Sequence, residues 1–470
     1  MLTFDVEFWS IRSRKGRRKP FELRWRVGTQ PHSKSYKTYT QADGRRAELL
    51  AALQGRQQFD EETGLPAAEL EALNCPTWYD HAVAYALMKW PKAAAKQRAN
   101  IAESLAGATP AFVSTRRAMP DSRVMRHALH SWAFRAIRTS DGTLVSRAAA
   151  EEPPADVAAA LTWLAKHSLR VTEAANPVHL RAALDALSLK LDGTQAAETT
   201  IHRKVMVLSN AWRYAMETGA VAYHPMKRID WSPPQLEDEI DFEYVPDPQQ
   251  AEKLLKAVKG QGLRGEHLYA FFGCLYYAAM RPSEIADLKE SHCTLPESGW
   301  GELVLRGNRP EVGSGWTDDG NPYEERGLKR RARRTTRSVP IPPVLVAMLR
   351  AHIARYGTAS DGRLFQAARG GRVRSTEYTE VWQEARRLAL TPEEVAAGLA
   401  SVAYCLRAAA IMLWILAGVH PVEAARRAGH SVAVLYRFYA KILRGSQAQA
   451  NKLIEQRLSE AVTAPSDPAG

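Results

Sequence analysis

The sequence predicts a mainly α-helical protein with small β elements, an α+β fold made of several domains. The chain has 470 residues, which corresponds to two to four domains at about 100–200 residues each. Hydrophobic residues make up 45% of the chain, enough to build packed cores. Long segments carry apolar residues at helical three- and four-residue spacing, while a few short ones alternate at period two, as strands do.

Composition narrows the class of protein. Lys and Arg number 64 against 51 Asp and Glu, a net charge of +13, which favours a polyanionic partner, nucleic acid before anionic lipid. The four cysteines are far apart and form no CxxC pair, which argues against a zinc ribbon or a disulfide framework. No basic start is followed by an apolar run, and residues 408–419 are too few to span a bilayer. We expect a cytoplasmic protein without a membrane partner.

Residues 1–65 are predicted to form a three-stranded sheet and a helix. Phe21–Val27 alternates apolar and polar side chains, Phe4–Ile11 and Ser33–Thr40 are predicted to flank it, and Gln41–Leu53 is predicted to be helical. The turn after the first strand is strongly basic and is either a solvated loop or a loop that docks on DNA phosphates. Its candidate DNA-binding residues are Arg14, Lys15, Arg17, Arg18 and Lys19.

The rest of the chain is predicted to be largely helical. Residues 75–225 form one helical domain, in which Trp78–Trp90, Ala155–His167, Pro177–Leu189 and Thr199–Thr218 carry the clearest helical patterns. Residues 226–244, rich in proline, are predicted to be a linker. Residues 245–462 form a second helical domain with strands near 303–306 and 337–341, and 463–470 is a flexible tail.

Three stretches of the second domain carry candidate functional residues. In the first, an apolar helix leads to Arg281, and Glu284 follows three residues later, close enough to orient the guanidinium. Such a pair is more often structural. The second stretch is a basic turn that begins at Lys329 and is either a solvated hairpin tip or close to DNA phosphates. Its other candidate residues are Arg330, Arg331, Arg333 and Arg334.

The third stretch contains Arg407, preceded by Tyr404, then a Gly-His pair at His430 and a tyrosine nine residues later, Tyr439. Tyr436, one helical turn before it, is the competing nucleophile. Taken alone, residues 421–437 favour a helix-turn-helix with glycine in the turn and a basic second helix. A DNA-binding regulator without catalytic activity is therefore an open alternative.

Together the three stretches resemble the tyrosine recombinase (phage integrase) family, and most of all the integrases of actinobacterial mobile elements. The similarity rests on Arg281 with its Glu, the hairpin Lys329, Arg407, His430 and Tyr439 in the family's order. It extends over about 245–458, residues 75–225 are similar to the helical core-binding (SAM-like) domain, and residues 1–65 to an arm-type DNA-binding domain. The resemblance implies a mixed α/β catalytic domain for 245–462.

The resemblance also implies a mechanism. Tyr439 would attack a DNA phosphodiester and form a 3′-phosphotyrosine, while Arg281, Arg407 and His430 stabilise the phosphate and Lys329 protonates the leaving 5′ oxygen. Neither metal, cofactor nor ATP would be needed. Tyr404 replaces the His that many members have, and Ala408 replaces a polar residue. Tyr404 can still donate a hydrogen bond and is read as a tolerated substitution, but it leaves the general base for the Tyr439 proton unassigned.

The implied partners are double-stranded attachment-site DNA and three further protomers in a tetramer, with a directionality factor (excisionase) and a host DNA-bending protein as possible additions. The implied location is the bacterial cytoplasm, at the nucleoid. A type IB topoisomerase-like enzyme, which shares the nucleophile and the cations but acts as a monomer, is a second alternative.

Overall fold

The computed structural model describes residues 1–190, 192–234, 242–307, 309–325, 336–368, 370–436, 451–452, 454–456 and 458–459. The chain divides into two compact units, Met1–Gln235 and Leu236–Gly470. Their boundary lies inside the segment expected to be a linker, and the finer division of the first unit into 1–65 and 75–225 remains a prediction. No helix among these residues is long and apolar enough to cross a membrane.

The first unit contains a small sheet followed by helices. Its strands are β1 (Leu2–Thr3), β2 (Val6–Phe8), β3 (Arg12–Ser13), β4 (Phe21–Val27), β5 (Gln30–Tyr36), β6 (Phe59–Asp60), β7 (Ala136–Arg138) and β8 (Leu144–Ser146). Its α-helices are α1 (Tyr39–Gln54), α2 (Ala67–Asn74), α3 (Trp78–Lys89), α4 (Ala95–Ala108), α5 (Ser122–Ala128), α6 (Arg147–Ala150), α7 (Ala155–His167), α8 (Val171–Ala174), α9 (Pro177–Ser188) and α10 (Glu198–Glu217).

The second unit is helical around a small sheet. Its strands are β9 (Cys293–Thr294), β10 (Gly301–Leu305) and β11 (Arg337–Ile341). Its α-helices are α11 (Pro248–Lys259), α12 (Gly262–Tyr277), α13 (Pro282–Ile285), α14 (Pro343–Tyr356), α15 (Ser375–Ala389), α16 (Pro392–Ala396), α17 (Cys405–Leu416) and α18 (Pro421–Ala428). The expected fold class, mainly α with small β elements, is confirmed.

Strand β4 is the centre of the N-terminal sheet. It pairs with β5 along one edge and with β2 and then β3 along the other, so two short strands occupy the edge predicted for one strand at Phe4–Ile11. Leu23, Trp25 and Val27 of β4 are buried against α1, as the period-two pattern predicts. The basic turn connects β3 to β4, where the sequence predicts a turn, and is closed by a 2.7 Å bond from Arg14 N to Pro20 O.

Long amphipathic helices form the remainder of the first unit. Val205, Leu208, Trp212 and Ala215 of α10 are buried on one face. Lys204 of the same helix is also buried, and its Nζ lies 3.9 Å from Glu103 Oε1. A lysine can bury its aliphatic stem beside the core when a carboxylate offsets its charge.

The core of the second unit forms around α12, which packs against α11, α14 and α17. Phe272 of α12 stacks on Trp382 of α15 with 5.3 Å between ring centroids. Strands β10 and β11 pair antiparallel, with Leu305 opposite Arg337, so the segment that connects them begins and ends at neighbouring points. This core, together with a smaller cluster between α17 and α18, fixes three chain segments whose ends form the candidate site: the start of α13, the start of α17 and the end of α18.

Candidate active site

Arg281 and Glu284 lie at the start of the short helix α13. The Glu284 carboxylate accepts hydrogen bonds from the Arg281 backbone N–H (2.8 Å) and from its Nη1 (2.9 Å). Pro282 in the first turn supplies the fixed backbone angle that begins the helix. The Glu284 carboxylate thus binds both the backbone N–H and the guanidinium of Arg281.

The side chain of Arg407 extends from the start of α17 to the same site as Arg281. Its Nη2 donates to the Ala428 carbonyl at 2.6 Å and its Nη1 donates to the Ala279 carbonyl. Ala279 has a left-handed backbone with φ 45°, a conformation that costs an L-residue about 1–2 kcal/mol. This turn aims the Ala279 carbonyl at Arg407, so local strain helps to fix the position of the guanidinium.

The end of α18 closes the site. Gly429 ends the helix in a left-handed conformation with φ 67°, which glycine adopts without strain. Its carbonyl accepts a 3.0 Å hydrogen bond from Arg281 Nη2, although the two residues are 148 positions apart. A Cβ at this position would lie 2.3 Å from Arg337 Nη1 and 3.3 Å from Arg281 Nη1. The turn can approach the arginines so closely because residue 429 has no side chain.

His430 follows this glycine and contacts Arg407, with 2.8 Å between the His430 Nε2 and Arg407 Nη2 atoms. Because a guanidinium can only donate, Nε2 accepts and the ring proton is on Nδ1. Burial and the positive charges of Arg407, Arg281 and Arg337 lower the pKa of His430 to about 3. His430 is therefore neutral at physiological pH in this structure, and its Nδ1 has no hydrogen-bond partner among the described residues.

Arg337, the first residue of β11, completes the group and was not among the predicted site residues. Its Nη2 lies 2.6 Å from Glu284 Oε2, and its side chain is 1% exposed. Burial lowers its pKa to about 10, against the opposing influence of Glu284. A signal was present: Arg337 shares the period-two phase of the buried Val339 and Ile341, so a strand at 337–341 places it on the core side.

Arg281 and Arg337 are ion-paired with one carboxylate, Glu284, and the positive charge of Arg407 also acts on it. These four residues together carry a formal charge of +2. Burial has the largest single effect on the pKa of Glu284 and raises it. The positive charges of Arg337, Arg281 and Arg407 together outweigh burial, so the pKa of Glu284 is lowered. Buried charges are costly unless they are neutralised, so an anion that binds here gains more than at the surface. Arg281 is 18% exposed and His430 is half-buried, so these two residues form the accessible side.

Tyr404, a predicted site residue, lies beside the cluster but more exposed. It caps the start of α17 and is 45% exposed. The guanidinium carbon of Arg407 lies 5.8 Å from its ring centroid, a cation–π contact. The structure therefore brings together Arg281, Glu284, Arg407 and His430, with Tyr404 at their edge.

The basic turn of the first unit presents exposed cations. Lys15, Arg17, Arg18 and Lys19 are exposed, while Arg14 is paired with Glu22 at 2.8 Å. A shallow cavity of about 490 Å³ on this surface is lined by Arg17, Arg18, Lys19, Ser35 and Lys37. Four of its five lining residues are basic, which suits a phosphate chain.

The remaining predicted residues lie outside the described part of the chain. They are Lys329, Arg330, Arg331, Arg333, Arg334 and Tyr439. Within the described residues, no group of three or more His, Cys, Asp or Glu could hold a metal ion.

No protein-family model matches the chain, and no curated protein is similar to it. Among solved structures it is similar to the Tn1549 transposon integrase in complex with transposon right end DNA, at 16% identity over 57% of this chain and 85% of that one, with a TM-score of 0.45. It is also similar to the XerH site-specific recombinase bound to palindromic difH substrate (12% identity, 79% and 96%, TM-score 0.43) and to lambda integrase bound to DNA (12%, 62% and 91%, TM-score 0.36). These proteins are integrases and site-specific recombinases, the class that the sequence motifs resemble. These three TM-scores are below 0.5, so we infer the function from the chain's own residues.

Proposed function

We propose that the chain is a tyrosine-type site-specific DNA recombinase, an integrase that breaks and rejoins DNA strands to insert or excise a mobile element. One observation carries the proposal: Arg281, Arg407 and His430 converge from distant parts of the chain on a buried cluster of formal charge +2. Such a cluster suits a phosphodiester, whose negative charge grows as the phosphorus becomes five-coordinate.

Each group of the cluster has a distinct part in the proposed reaction. Arg281 offers N–H donors to the nonbridging phosphate oxygens from the accessible side. Arg407, which is buried behind it, adds its positive charge and holds His430 in place. His430, neutral with its proton on Nδ1, donates one further hydrogen bond without adding a charge. Glu284 fixes the direction of Arg281 and offsets part of the buried positive charge. No metal ion, cofactor or ATP enters the proposed chemistry.

Tyr439 and Lys329 complete the proposed reaction by their positions in the sequence. A bond forms between the Tyr439 phenolic oxygen and the phosphorus while the bond from phosphorus to the 5′ oxygen breaks. The leaving oxygen takes its proton from the Lys329 ammonium, and the phenolic proton passes to solvent. Attack by the 5′-hydroxyl of another strand reverses the step, so the phosphotyrosine conserves the energy of the original bond.

The geometry disfavours a purely DNA-binding helix-turn-helix. Such a motif reads DNA with the N-terminal residues of its second helix, which must be exposed to enter the major groove. Here the Gly429 carbonyl is bonded to Arg281, the Ala428 carbonyl to Arg407, and His430 to Arg407. A regulator has no need to tie this turn to buried arginines.

The complete reaction needs partners that belong to the proposal. Exchange between two duplexes requires four protomers on attachment-site DNA, and a directionality factor and a host DNA-bending protein would select integration or excision. We place the protein on the nucleoid of a bacterial cell. A type IB topoisomerase-like enzyme would instead relax supercoiled DNA as a monomer, so strand exchange between two duplexes separates the two activities.

The decisive experiment captures the covalent intermediate. The protein is incubated with nicked duplexes whose central sequence is randomised, since the loss of a short 5′-hydroxyl fragment traps the adduct, and SDS-stable complexes are counted and sequenced. The parent is expected to form adducts and Tyr439→Phe none. The matched control Tyr436→Phe, at an exposed tyrosine three residues earlier in the sequence, is expected to retain them. Adducts in Tyr439→Phe, or none in the parent, would overturn the proposal.

The same substrate tests the arginines. Arg281→Ala and Arg407→Ala are expected to lower adduct formation by at least a hundredfold, since removing one preorganised donor costs about 10²–10³ in rate. Their DNA affinity should fall far less, because phosphate contacts are spread over many residues. Parent-like cleavage in either variant would contradict a role in transition-state stabilisation.

A further inference from the structure

A second group of arginines, distinct from Arg281, Arg337 and Arg407, lines a cleft near α13. Two adjoining cavities of about 720 and 340 Å³ share Arg372 and Tyr323. The larger cavity opens at the start of α15, with Arg374 and Thr376 in its lining. The smaller cavity is lined partly by Pro282 and Ser283, which directly follow Arg281 in the chain.

Arg372 is the central side chain of this cleft. It is 6% exposed, its Nη1 lies 3.1 Å from Asp287 Oδ1, and its guanidinium carbon lies 5.0 Å from the Tyr323 ring centroid. Among the described residues, neither Nη1 nor Nη2 makes a hydrogen bond of acceptable geometry. Burial lowers the pKa of Arg372, and the nearby charges of Arg363 and Arg309 lower it further against the effect of Asp287. A buried guanidinium with unfilled donors favours an additional acceptor.

Helix α15 supplies a second feature that favours an anion. Its N-cap residue, Arg374, makes no side-chain capping hydrogen bond. The first N–H groups of a helix have no partner within it and carry the positive end of the helix dipole, so they bind phosphates readily. The α15 start and Arg372 line the same cavity.

The formal charges of the lining balance once their ion pairs are counted. Arg264 is paired with Glu377 and Arg372 with Asp287, and Arg309 and Arg374 face Glu311 and Glu380. A phosphate would therefore be held by the unfilled donors of Arg372 and by the start of α15, not by a net positive charge.

We propose that this cleft binds a phosphate group of the DNA backbone close to the phosphate that is cleaved. This inference rests on the proposed recombinase function and adds a contact that the cleavage chemistry does not use. Ser283 lies two residues from Arg281, which spans at most about 7 Å, and phosphates of one strand follow each other every 3.4 Å along the helix axis. When the scissile phosphate lies at Arg281, a phosphate a few nucleotides along the strand is therefore close enough to reach the cleft.

The test measures the salt dependence of DNA binding. A fluorescein-labelled 40-base-pair duplex of mixed sequence is titrated with the full chain at several KCl concentrations and followed by anisotropy. Each lost phosphate contact on B-DNA reduces the slope of log K against log salt by about 0.9. Arg374→Ala and Arg309→Ala are chosen because Arg374 is exposed and Arg309 half-buried, and Arg372→Lys keeps a cation beside Asp287 if loss of that arginine prevents folding.

The matched control is Arg387→Ala, which removes one arginine from the other end of α15, where it is paired with Glu384. We expect Arg374→Ala and Arg309→Ala each to reduce the slope by about 0.9, Arg372→Lys to weaken binding, and the control to leave the slope unchanged. Slopes that fall no more in the cleft variants than in the control would overturn the inference.

A further arm distinguishes the DNA backbone from free phosphate. Inorganic phosphate is compared with KCl of equal ionic strength in thermal unfolding of the parent and of Arg374→Ala. Stabilisation of the parent alone by millimolar phosphate, with unchanged DNA slopes, would make the cleft a free-phosphate site and overturn the DNA assignment. Adducts of Tyr439 are scored separately, so failure of the recombinase proposal is distinguishable from failure of this one.

Discussion

Arg337 and Glu284 form an ion pair with 2.6 Å between Nη2 and Oε2, and their side chains are 1% and 2% exposed. The same carboxylate holds Arg281 at 2.9 Å. Glu284 therefore links the buried Arg337 to Arg281, which lies on the accessible side of the site. We assign Arg337 a positioning role: its charge acts on the substrate through Glu284 and through its contact with the Gly429 turn.

Replacing Arg337 is the first test of this assignment. Arg337→Ala leaves part of the Glu284 charge buried without its partner, and breaking a buried pair costs about 3–5 kcal/mol of unfolding free energy. Adduct formation should also fall. Arg337→Lys, which keeps the positive charge but not the guanidinium geometry, should retain part of the stability and part of the adduct formation. Urea unfolding and the nicked-duplex reaction measure the two effects. Arg387→Ala, in an exposed pair, is expected to change neither; equal behaviour of the two alanine variants would contradict the assignment.

His430 gives a prediction for pH. Its pKa in the folded chain is about 3, below the unfolded value of about 6.5. The unfolded chain therefore binds more protons between these values, so the contribution of neutral His430 to stability is complete above about pH 6.5 and is lost as the pH falls towards 3. Urea midpoints of the parent and His430→Gln should differ most at pH 7, and the difference should be smaller at pH 5. A difference that stays constant with pH would show that His430 is not held neutral.

Ala279 tests the strained turn that presents its carbonyl to Arg407. Ala279→Gly removes a left-handed penalty of about 1–2 kcal/mol and adds about 0.4–1 kcal/mol of unfolded-chain entropy, so stability should stay close to that of the parent and cleavage should persist. Ala279→Val should lose both stability and cleavage activity, because position 279 is fully buried. Ala118→Val is the control, since Ala118 also has a positive φ but is exposed. A loss at 118 as large as at 279 would remove any special role of this turn.

Gly429 tests the close approach of the last turn of α18 to the arginines. Gly429→Ala places a Cβ 2.3 Å from Arg337 Nη1, so the arginine must move as well as the backbone accept strain. We expect loss of adduct formation and a lower melting temperature. Gly219→Ala is a matched control, because Gly219 has φ +76° with nothing within 4 Å of its added Cβ. Its variant should show only the cost of a left-handed alanine, about 1–2 kcal/mol; an equal loss in both would exclude a steric role for Gly429.

The basic turn of the first unit gives a prediction for DNA binding. The triple variant Arg17→Ala, Arg18→Ala and Lys19→Ala should reduce the salt slope by up to about 2.7, at about 0.9 for each phosphate contact. Arg14→Ala, whose side chain is already paired with Glu22, should reduce it less. Anisotropy with a long mixed-sequence duplex measures the slopes. An unchanged slope in the triple variant would identify the turn as a solvated loop.

Much of the fold could be predicted because local periodicity reports which face of a segment is buried. Ala155–His167 was expected to be helical and is helix α7 over the same residues. The strand at 337–341 is β11. The prediction of a single strand at Phe4–Ile11 was less accurate. The interruption between Phe8 and Arg12 depends on how these residues pair with β4, and a period-two pattern does not show it.

The sequence by itself determined the kinds of elements, the surplus of positive charge and the order in which Arg281, Lys329, Arg407, His430 and Tyr439 occur, because composition and periodicity are properties of the chain alone. Tertiary structure decided that Arg337 forms a buried ion pair with Glu284 and that His430 is neutral. Both outcomes depend on burial and on charged residues that are far apart in the sequence but close together in the folded second unit. Desolvation and Coulomb interactions act over a few ångströms in space, and such distances between remote residues are set only when the chain has folded.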